Sequence, residues 1–334
     1  MSDNNLSSVA INILSKTILA ADESSGTIKK RFDSIGIEST PEKNREYRQL
    51  LFTSAGIEKY VSGVILYDET VYQKSDDNTP LPSLLANNNI NPGIKVDRKT
   101  ISIPGYGEDT FTQGLDDLGE RLAEYLKNGC VFAKWRALYT ISDESPSKLS
   151  INRNSQDLAL YALICQSAGI VPIVEPEILM DGNHSLEKDK EITEKALAKV
   201  FEALIDHKVD IKSIILKPNM ITSGSENKNQ ASIKQVAQET LDVLQKTVPA
   251  EVPGIAFLSG GQSPELATQH LNEINKIKNQ NVDKYPWRLT ASFGRALQGE
   301  AIEAWGGKKE NTHKAQEVFI ARAKKVYSAS LGQL

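Results

Sequence analysis

Ile170-Val-Pro-Ile-Val-Glu-Pro-Glu-Ile178 is a short apolar run that becomes acidic towards its end. Continuous apolar runs of this length are typical of parallel strands that are covered on both faces. Side chains two positions apart on a strand point to the same side, so Glu175 and Glu177 are predicted to lie together. Buried carboxylates are costly unless they are paired or face a polar cavity, so this strand end is predicted to border an ion-pair lattice or a functional site.

The same pattern recurs along the chain as short apolar segments that end in charged or polar residues. Together with 170–178, the strand candidates are 17–22, 61–68, 93–96, 130–138, 211–218, 254–259 and 288–292. Between them, amphipathic segments with helical spacing lie at 115–127, 192–207, 233–246 and 264–277, and a last helix is predicted at 310–330. In the first of these segments, one face is predicted to carry Leu115, Leu118, Leu122 and Leu126.

The ends of the strand candidates distinguish between the two architectures that repeated strand–helix alternation allows. An open doubly wound sheet gathers its chemistry where a few strands diverge, whereas a barrel directs every strand end towards one axis. Because nearly every strand candidate ends in a polar residue, we predict the α/β class and a single-domain (β/α)8 TIM barrel over residues 1–334, with 1–16 as an N-terminal segment and 73–92 as a long surface loop. The strand-end residues are Asp22, Asp68, Lys95, Lys134, Arg136, Glu175, Glu177, Lys217, Ser259, Ser292 and Arg295.

Composition argues against several classes of function. The net charge of −4 gives no general attraction to nucleic acids or anionic membranes, so any anion site must come from locally placed cations. The histidines have no metal-ligand spacing and no CxxC motif occurs, so we expect neither a metal nor a cofactor. Cys130 and Cys165 are predicted to be buried thiols. No apolar run approaches the ~20 residues of a membrane span and no signal peptide is evident, so we expect a cytoplasmic protein.

Lys217 is the residue best suited to covalent chemistry, because it stands at the end of the strand candidate 211–218 and precedes a proline. Repulsion from neighbouring cations and partial desolvation are predicted to lower the pKa of its ammonium group, so that the neutral amine can attack a carbonyl. A lysine at a strand end is more commonly a phosphate contact or an ion-pair partner, and with two glutamates on the neighbouring strand a buried salt-bridge lattice is the competing interpretation. The neighbouring cations are Lys95, Lys134 and Arg136.

Two loops carry a signature of phosphate binding. Barrels commonly hold phosphate on the loops after the seventh and eighth strands, which here read Leu258-Ser-Gly-Gly-Gln-Ser263 and Ser292-Phe-Gly-Arg-Ala296. The paired glycines let backbone N–H groups approach an anion, and Arg295 adds a fork of donors. A second anion site is predicted on the opposite rim, where the segment 22–31 combines a carboxylate, hydroxyls and three cations.

Several of these segments together resemble the class I fructose-1,6-bisphosphate aldolase family. The resemblance runs in order from about residue 17 to about residue 330, with few gaps, and a set of motifs this long is highly specific. The matching segments are Leu19-Ala-Ala-Asp-Glu-Ser24, Gly93-Ile-Lys-Val-Asp97, Phe132-Ala-Lys-Trp-Arg136, Val174-Glu-Pro-Glu-Ile-Leu179, Leu216-Lys-Pro-Asn-Met220, Leu258-Ser-Gly-Gly-Gln-Ser263, Gly294-Arg-Ala-Leu-Gln298 and Trp305-Gly-Gly-Lys-Lys-Glu-Asn311.

The resemblance implies a reaction and a role for each site residue. It implies reversible, metal-independent cleavage of fructose 1,6-bisphosphate to dihydroxyacetone phosphate and glyceraldehyde 3-phosphate, in glycolysis and gluconeogenesis, through a Schiff base between Lys217 and the C2 ketone. Glu175 is the implied proton shuttle. Asp22 and Lys134 orient and polarise the substrate hydroxyls, and Glu177 supports the lysine cluster. The implied phosphate and substrate contacts are Ser259, Gly260, Gly261, Ser292, Gly294 and Arg295 for the 1-phosphate, then Arg31, Arg136 and Lys95, with Lys95 at the 6-phosphate.

The sequence leaves other functions open. A transaldolase-like transferase, or an aldolase of sedoheptulose 1,7-bisphosphate or fructose 1-phosphate, would use the same Schiff-base chemistry, although two phosphate sites favour a bisphosphate. A non-catalytic scaffold would be expected to lack Lys217, Glu175 or Arg295, and all three are present. The resemblance also implies a homotetramer. Many relatives carry a long C-terminal tail with a tyrosine near its end, which is expected to be absent from this chain because the sequence stops at Leu334.

Overall fold

The computed structural model describes residues 6–334, and its strands form one large sheet and one small hairpin. The short apolar runs of the sequence become strands because each run is covered on both faces, and β-branched and aromatic residues fill them. The strands are β1 Thr17–Ala21, β2 Val61–Leu66, β3 Asn91–Lys95, β4 Thr100–Ser102, β5 Thr110–Thr112, β6 Phe132–Tyr139, β7 Val171–Ile178, β8 Ile215–Leu216, β9 Gly254–Phe257 and β10 Arg288–Phe293.

Eight of these strands close into a parallel barrel in the order β1-β10-β9-β8-β7-β6-β3-β2. The closing contact is the parallel pairing of β1 with β10, in which Ile18 lies opposite Ser292. Parallel strands that follow one another round a barrel need a crossover between them, and helices supply it here. The (β/α)8 barrel predicted from the strand ends is therefore confirmed. The antiparallel hairpin of β4 and β5 lies between β3 and β6 in sequence.

Several helices begin where a side chain caps their first N–H groups. Ser232 and Gln235 form a reciprocal capping box, and Ser263 caps the helix that begins at Pro264. The helices are α1 Leu6–Ile13, α2 Ser25–Asp33, α3 Pro41–Phe52, α4 Asp68–Val71, α5 Leu81–Asn87, α6 Leu118–Lys127, α7 Lys148–Ser167, α8 Leu186–Asp206, α9 Ile233–Thr247, α10 Pro264–Asn279, α11 Arg295–Trp305 and α12 Thr312–Ser330.

Apolar packing forms two clusters, one between the strands and the helices and one inside the barrel. In the inner cluster, Ala10 and Ile13 of α1 pack with Phe132, Val171 and Ile215 from the barrel strands. The N-terminal segment expected at 1–16 thus contains a helix that packs against the barrel interior, and residues 1–5 of that segment lie outside the described residues. Cys130 and Cys165 are buried free thiols, as predicted.

The structure corrects several local predictions. The segment 73–92 is not a long loop, because α5 lies within it with Leu81 and Leu85 fully buried. The strand predicted at 211–218 is reduced to Ile215–Leu216, after a turn of 3-10 helix. On α6 the predicted apolar face ends early, since Leu126 is 42 % exposed and Tyr125 is buried instead.

Asp68 was predicted as a strand-end residue that points into the site, and this is wrong. It begins α4, and its carboxylate accepts a hydrogen bond from the Tyr125 hydroxyl at 2.6 Å. Asp68 therefore ties two outer elements together. The helix that starts directly after β2 turns this side chain away from the barrel axis.

Candidate active site

Three neighbouring strands bring charged side chains to the C-terminal mouth of the barrel. Lys95 at the end of β3 is in register with Lys134 on β6, and Arg136 on β6 is in register with Glu175 on β7. Side chains two apart on a strand share a side, so these positions and Glu177 all point towards one region. The C-terminal face of such a barrel is where parallel strand ends meet, and it is the position of active sites in barrel enzymes.

Glu175 lies between two lysine ammonium groups. Its Oε1 is 2.9 Å from Lys217 Nζ, and its Oε2 is 3.1 Å from Lys134 Nζ. All three residues are 3 % exposed. Although Lys134 is at ion-pair distance, Glu175 Oε2 has no hydrogen-bond partner of good geometry among the described residues. Glu175 lines both cavities beside Lys217, which is the position that an acid–base group would need.

The pair formed by Asp22 and Lys134 is charged on both sides. Asp22 Oδ2 lies 2.8 Å from Lys134 Nζ. Burial alone would raise the pKa of Asp22, but the charges of Lys134 and Lys217 outweigh it and hold that pKa well below its usual range. Burial alone would lower the pKa of Lys134, but Asp22, Glu175 and Asp97 outweigh it and raise that pKa. Lys134 is thus a permanent cation, suited to polarising a substrate hydroxyl.

Arg136 and Glu177 form the outer ion pair of this mouth, with Nη1 and Oε2 3.1 Å apart. Burial raises the pKa of the Glu177 carboxyl, Arg136 opposes the rise, and the charge of Glu175 adds to it. The pKa of Arg136 is raised because the surrounding carboxylates outweigh its burial. Arg136 reaches solvent, since 42 % of its side chain is exposed, so it can meet an incoming anion.

Lys95 is paired with Asp97, a residue that sequence reasoning missed. The Lys95 ammonium group contacts the Asp97 carboxylate and donates to the Asp97 carbonyl at 2.7 Å. Burial lowers the pKa of Lys95 in spite of this partner. The signal for Asp97 was available, because it follows Lys95 by two positions and so projects to the same side.

The surroundings of Lys217 differ from the cluster of cations that the sequence suggested. Its nearest charged partner is the Glu175 carboxylate, and Lys134 in turn is held by Asp22 and Glu175. Carboxylates and cations alternate in the order Asp22, Lys134, Glu175 and Lys217. This order joins residues of different strands, so the sequence of a single strand does not reveal it. The predicted salt-bridge lattice is therefore present, but it lines an open cavity and does not fill the mouth.

Two cavities meet at Lys217. The first, which we call the lysine cavity, has a volume of about 360 Å³ and the second, the glycine-loop cavity, about 550 Å³. Lys217, Glu175, Arg136 and Arg31 line both. The lysine cavity is otherwise lined by Ala20, Asp22, Glu23, Ser24, Thr27, Lys95, Asp97, Arg98, Lys99, Thr100, Lys134 and Gly294, and the glycine-loop cavity by Ala20, Thr27, Lys30, Ser34, Glu177, Leu258, Ser259, Gly260, Gly261, Ser292, Gly294 and Arg295.

The glycine-loop cavity contains the donors expected of a phosphate site. Gly261 has a φ of +74°, which favours glycine, and a Cβ atom at Gly260 would lie 2.7 Å from Glu177 Oε1 and would displace that side chain. Ser292 Oγ is buried without a hydrogen-bond partner among the described residues. Helix α11 begins at Arg295, and its first N–H groups and guanidinium favour an anion.

Arg31 is held in place by a buried network around Glu23. The Glu23 carboxylate contacts the guanidinium of Arg31, lies 2.9 Å from that of Arg48, and also accepts from the Gln298 amide. Arg48 is 2 % exposed and donates to the Ala21 carbonyl at 2.9 Å. Sequence reasoning named Arg31 but missed Glu23 and Arg48, because only the fold brings α3 and α11 against this loop.

Two features are absent from the described part of the chain. Between residues 6 and 334, no group of three or more His, Cys, Asp and Glu side chains is arranged to hold a metal ion. None of the helices described in this range combines the length and the apolar character that crossing a membrane requires.

The sequence matches one protein family over nearly its whole length. The family described as fructose-bisphosphate aldolase class-I matches residues 5–334. Fructose-bisphosphate aldolase 6, cytosolic, of Arabidopsis thaliana is 51% identical over 317 residues, which cover 95% of this chain and 87% of that protein. The fructose-bisphosphate aldolase of Schistosoma mansoni is 51% identical over 319 residues, with the same coverage of 95% and 87%.

A solved structure agrees with these sequence matches. It is the fructose-bisphosphate aldolase of Plasmodium falciparum in complex with TRAP and a small molecule inhibitor. It superposes with a TM-score of 0.95 at 47% identity, over 98% of this chain and 94% of that one.

Proposed function

The chain belongs to the class-I fructose-bisphosphate aldolase family, and we propose from this premise that Lys217 is the amine that forms the Schiff base. The reaction is the reversible cleavage of fructose 1,6-bisphosphate to dihydroxyacetone phosphate and glyceraldehyde 3-phosphate. One observation supports the assignment above the others. Lys217 Nζ is buried, lies 2.9 Å from a carboxylate oxygen of Glu175, and borders both cavities.

The proposed chemistry balances with the groups present. The Lys217 amine adds to the C2 carbonyl, and water leaves after protonation by Glu175, which gives an iminium ion. Glu175 then takes the proton of the C4 hydroxyl as the C3–C4 bond breaks. The electron pair of that bond forms the C2=C3 double bond of an enamine, and the C=N pair moves to the nitrogen. The aldehyde departs, the proton held by Glu175 is returned to C3 of the enamine, and water hydrolyses the imine, which frees the Lys217 amine. Lys134 and Asp22 orient the substrate hydroxyls during these steps.

The substrate spans the two cavities in this proposal. Ser259, Gly260, Gly261, Ser292, Gly294 and Arg295 bind the 1-phosphate in the glycine-loop cavity, while Lys95 meets the 6-phosphate in the lysine cavity. Arg31 and Arg136 border both cavities and complete the cationic surface. A ligand with an anionic group at each end fits this arrangement better than a monophosphate. The bisphosphate is therefore the favoured substrate over fructose 1-phosphate.

We also propose that the protein is cytoplasmic and assembles as a homotetramer. Relatives from Arabidopsis thaliana and Spinacia oleracea are named cytosolic or cytoplasmic isozymes, which supports the location. The assembly rests on family resemblance. Light scattering of the purified protein tests it, since a mass near four chains is expected and a monomer would contradict it.

A cleavage assay in the presence of EDTA tests the proposed function. Wild type is expected to cleave fructose 1,6-bisphosphate with a higher kcat/KM than fructose 1-phosphate or sedoheptulose 1,7-bisphosphate. Lys217→Met keeps an apolar stem of similar length without the amine, so it is expected to stay folded by circular dichroism and to lose turnover. Substantial cleavage by Lys217→Met would show that another residue is the nucleophile. A folded wild type without activity on any of the three sugars would favour a scaffold role.

A further inference from the structure

Gln262 anchors the loop 259–262 from behind. Its backbone N–H donates to the Ser259 carbonyl at 3.2 Å, and α10 starts two residues later, at Pro264. Gln262 is 3 % exposed and does not line the cavity that Ser259, Gly260 and Gly261 line. The loop therefore presents its backbone to the glycine-loop cavity and is held by a buried side chain on its other side.

His270 on α10 is the partner of that side chain. The Nδ1 atom of His270 lies 2.7 Å from Gln262 Oε1, and His270 is 2 % exposed. An amide oxygen only accepts, so Nδ1 carries the proton and Nε2 is left as a lone pair. Nε2 has no partner among the described residues, and a buried lone pair is less costly there than a buried N–H group would be. Burial also lowers the pKa of His270 to about 4, in keeping with a neutral ring.

The same amide also reaches the segment that follows Lys217. Gln262 Nε2 points at Met220 Sδ at 3.8 Å, and Met220 is 1 % exposed. A second link lies close by, because the Leu258 N–H donates to the Pro218 carbonyl at 3.0 Å. Buried contacts thus run from His270 through Gln262 to the residues after the nucleophile.

We propose that His270 is a positioning residue for the 1-phosphate: its Nδ1–H fixes the Gln262 side chain and so holds the N–H groups of Gly260 and Gly261 at the cavity surface. The role rests on the proposed function, since the phosphate it serves belongs to the proposed substrate. His270 does not border either cavity, so its effect passes through Gln262.

Steady-state kinetics of two His270 variants test this role. His270→Leu removes the donor, and the KM of fructose 1,6-bisphosphate is expected to rise about tenfold, the effect of losing one buried hydrogen bond, while kcat stays within about threefold. Fructose 1-phosphate is expected to show the same rise, because it shares the phosphate that the loop binds. His270→Asn places an amide nitrogen near the position of Nδ1, so its KM is expected to return to within about threefold of wild type.

Matched controls separate positioning from loss of stability. Asn275→Leu changes a second buried polar residue of α10, whose side-chain amide donates within the helix to the Leu271 carbonyl. It is expected to lower thermal stability without raising KM. Gln262→Leu is expected to reproduce the KM of His270→Leu, and the double variant to be no worse than either single variant, because both changes break one interaction.

An unchanged KM in His270→Leu would contradict this role, and so would equal increases of KM in His270→Leu and His270→Asn. Additive increases of KM in the double variant would also contradict it. So would a KM that rises for fructose 1,6-bisphosphate but not for fructose 1-phosphate. Wild type is measured in the same assay. If wild type itself does not cleave either sugar, the proposed function fails, and that result is distinct from a variant that matches an active wild type.

Discussion

Glu175 combines two properties that an acid–base group needs, namely a fixed position and access to the ligand. Lys217 and Lys134 hold its carboxylate from either side, at 2.9 and 3.1 Å, so its position is fixed. Glu175 also lines both cavities, so its carboxylate borders the space that a ligand would occupy. Glu177, two positions later, is paired with Arg136 and packs against the glycine loop. The two carboxylates therefore have different roles.

Glu175→Gln is expected to lower kcat by about 10²- to 10⁴-fold, because the amide keeps the shape but cannot exchange a proton. The KM for fructose 1,6-bisphosphate is expected to change much less. Glu177→Gln is the matched control, with a smaller loss of kcat, because Glu177 does not contact Lys217. Rapid-quench measurement of a single turnover gives the chemical step directly. A larger loss for Glu177→Gln than for Glu175→Gln would contradict these roles.

The segment after β8 is a buried loop whose shape depends on neighbouring helices. Buried irregular backbone needs partners for its N–H groups. Thr240 on α9 accepts from the Ile221 N–H at 3.0 Å, and Asp189 on α8 accepts from the Thr222 N–H at 2.7 Å. These two side chains hold the backbone that follows Lys217. The sequence contained no local signal for them, because both lie on helices far from the loop in the chain.

Asp189 gives this element a pH dependence. Burial raises its pKa to about 7, although hydrogen bonds from Thr222, Thr193 and Asn219 oppose the rise. In the unfolded chain the carboxyl loses its proton near pH ~4, so unfolding releases a proton between pH ~4 and ~7. The contribution of Asp189 to the free energy of unfolding is therefore present below that window and is lost as the pH rises through about 7.

Asp189→Asn is expected to remove this contribution, so the free energy of unfolding of the variant relative to wild type should increase as the pH rises from ~4 to ~8. The difference between the two proteins is the relevant quantity, because the lowered pKa of His270 acts in the opposite direction in the acid part of this range. Urea titrations at a series of pH values measure it. A constant difference across the range would show that Asp189 does not titrate there.

The complete barrel places the lysine cavity and the glycine-loop cavity on either side of Lys217. Lys95 lines only the lysine cavity, and Arg295 lines only the glycine-loop cavity. Each residue can therefore be tested against one end of the substrate. The distinction needs the complete fold, since Lys95 ends β3 whereas Arg295 begins α11, after the last barrel strand, and closure of the barrel brings both to one mouth.

Arg295→Ala is expected to raise the KM of both fructose 1,6-bisphosphate and fructose 1-phosphate by about tenfold or more, because charged hydrogen bonds to the shared 1-phosphate are lost. Lys95→Met is expected to raise the KM of the bisphosphate in the same way and to leave fructose 1-phosphate within about threefold. Steady-state kinetics on both sugars compare the variants. Equal effects of Lys95→Met on the two sugars would place Lys95 away from the 6-phosphate.

The sequence was sufficient for the barrel and for the side on which the charged residues of β6 and β7 lie, because both follow from local periodicity. The spacing of Glu175 and Glu177 predicted a shared side, and both residues line the glycine-loop cavity. Pairing across strands was not accessible, since it depends on register between neighbouring strands. Asp22 beside Lys134, and Glu175 in place of cations beside Lys217, are the consequences.

Burial and ion pairing that depend on distant parts of the chain could not be predicted from local sequence. The buried helix α5 was predicted as a loop, because its segment is rich in Asn, Pro and Asp, and only tertiary packing buries Leu81 and Leu85. Glu23 follows the predicted site residue Asp22, but its role depends on Arg48 from α3. The roles of such residues depend on the whole fold and cannot be predicted locally. The direction of a site residue on a strand follows from its position in that strand.

Borohydride trapping with fructose 1,6-bisphosphate in the presence of EDTA, followed by peptide mass mapping, identifies the lysine that forms the Schiff base. Reduction makes an imine permanent, so we expect one adduct of the dihydroxyacetone phosphate moiety on the peptide that contains Lys217, and none on Lys95 or Lys134. Lys217→Met treated in the same way is expected to give no adduct. An active wild type that forms no adduct, or an adduct on another lysine, would contradict the assignment of Lys217 as the Schiff-base nucleophile.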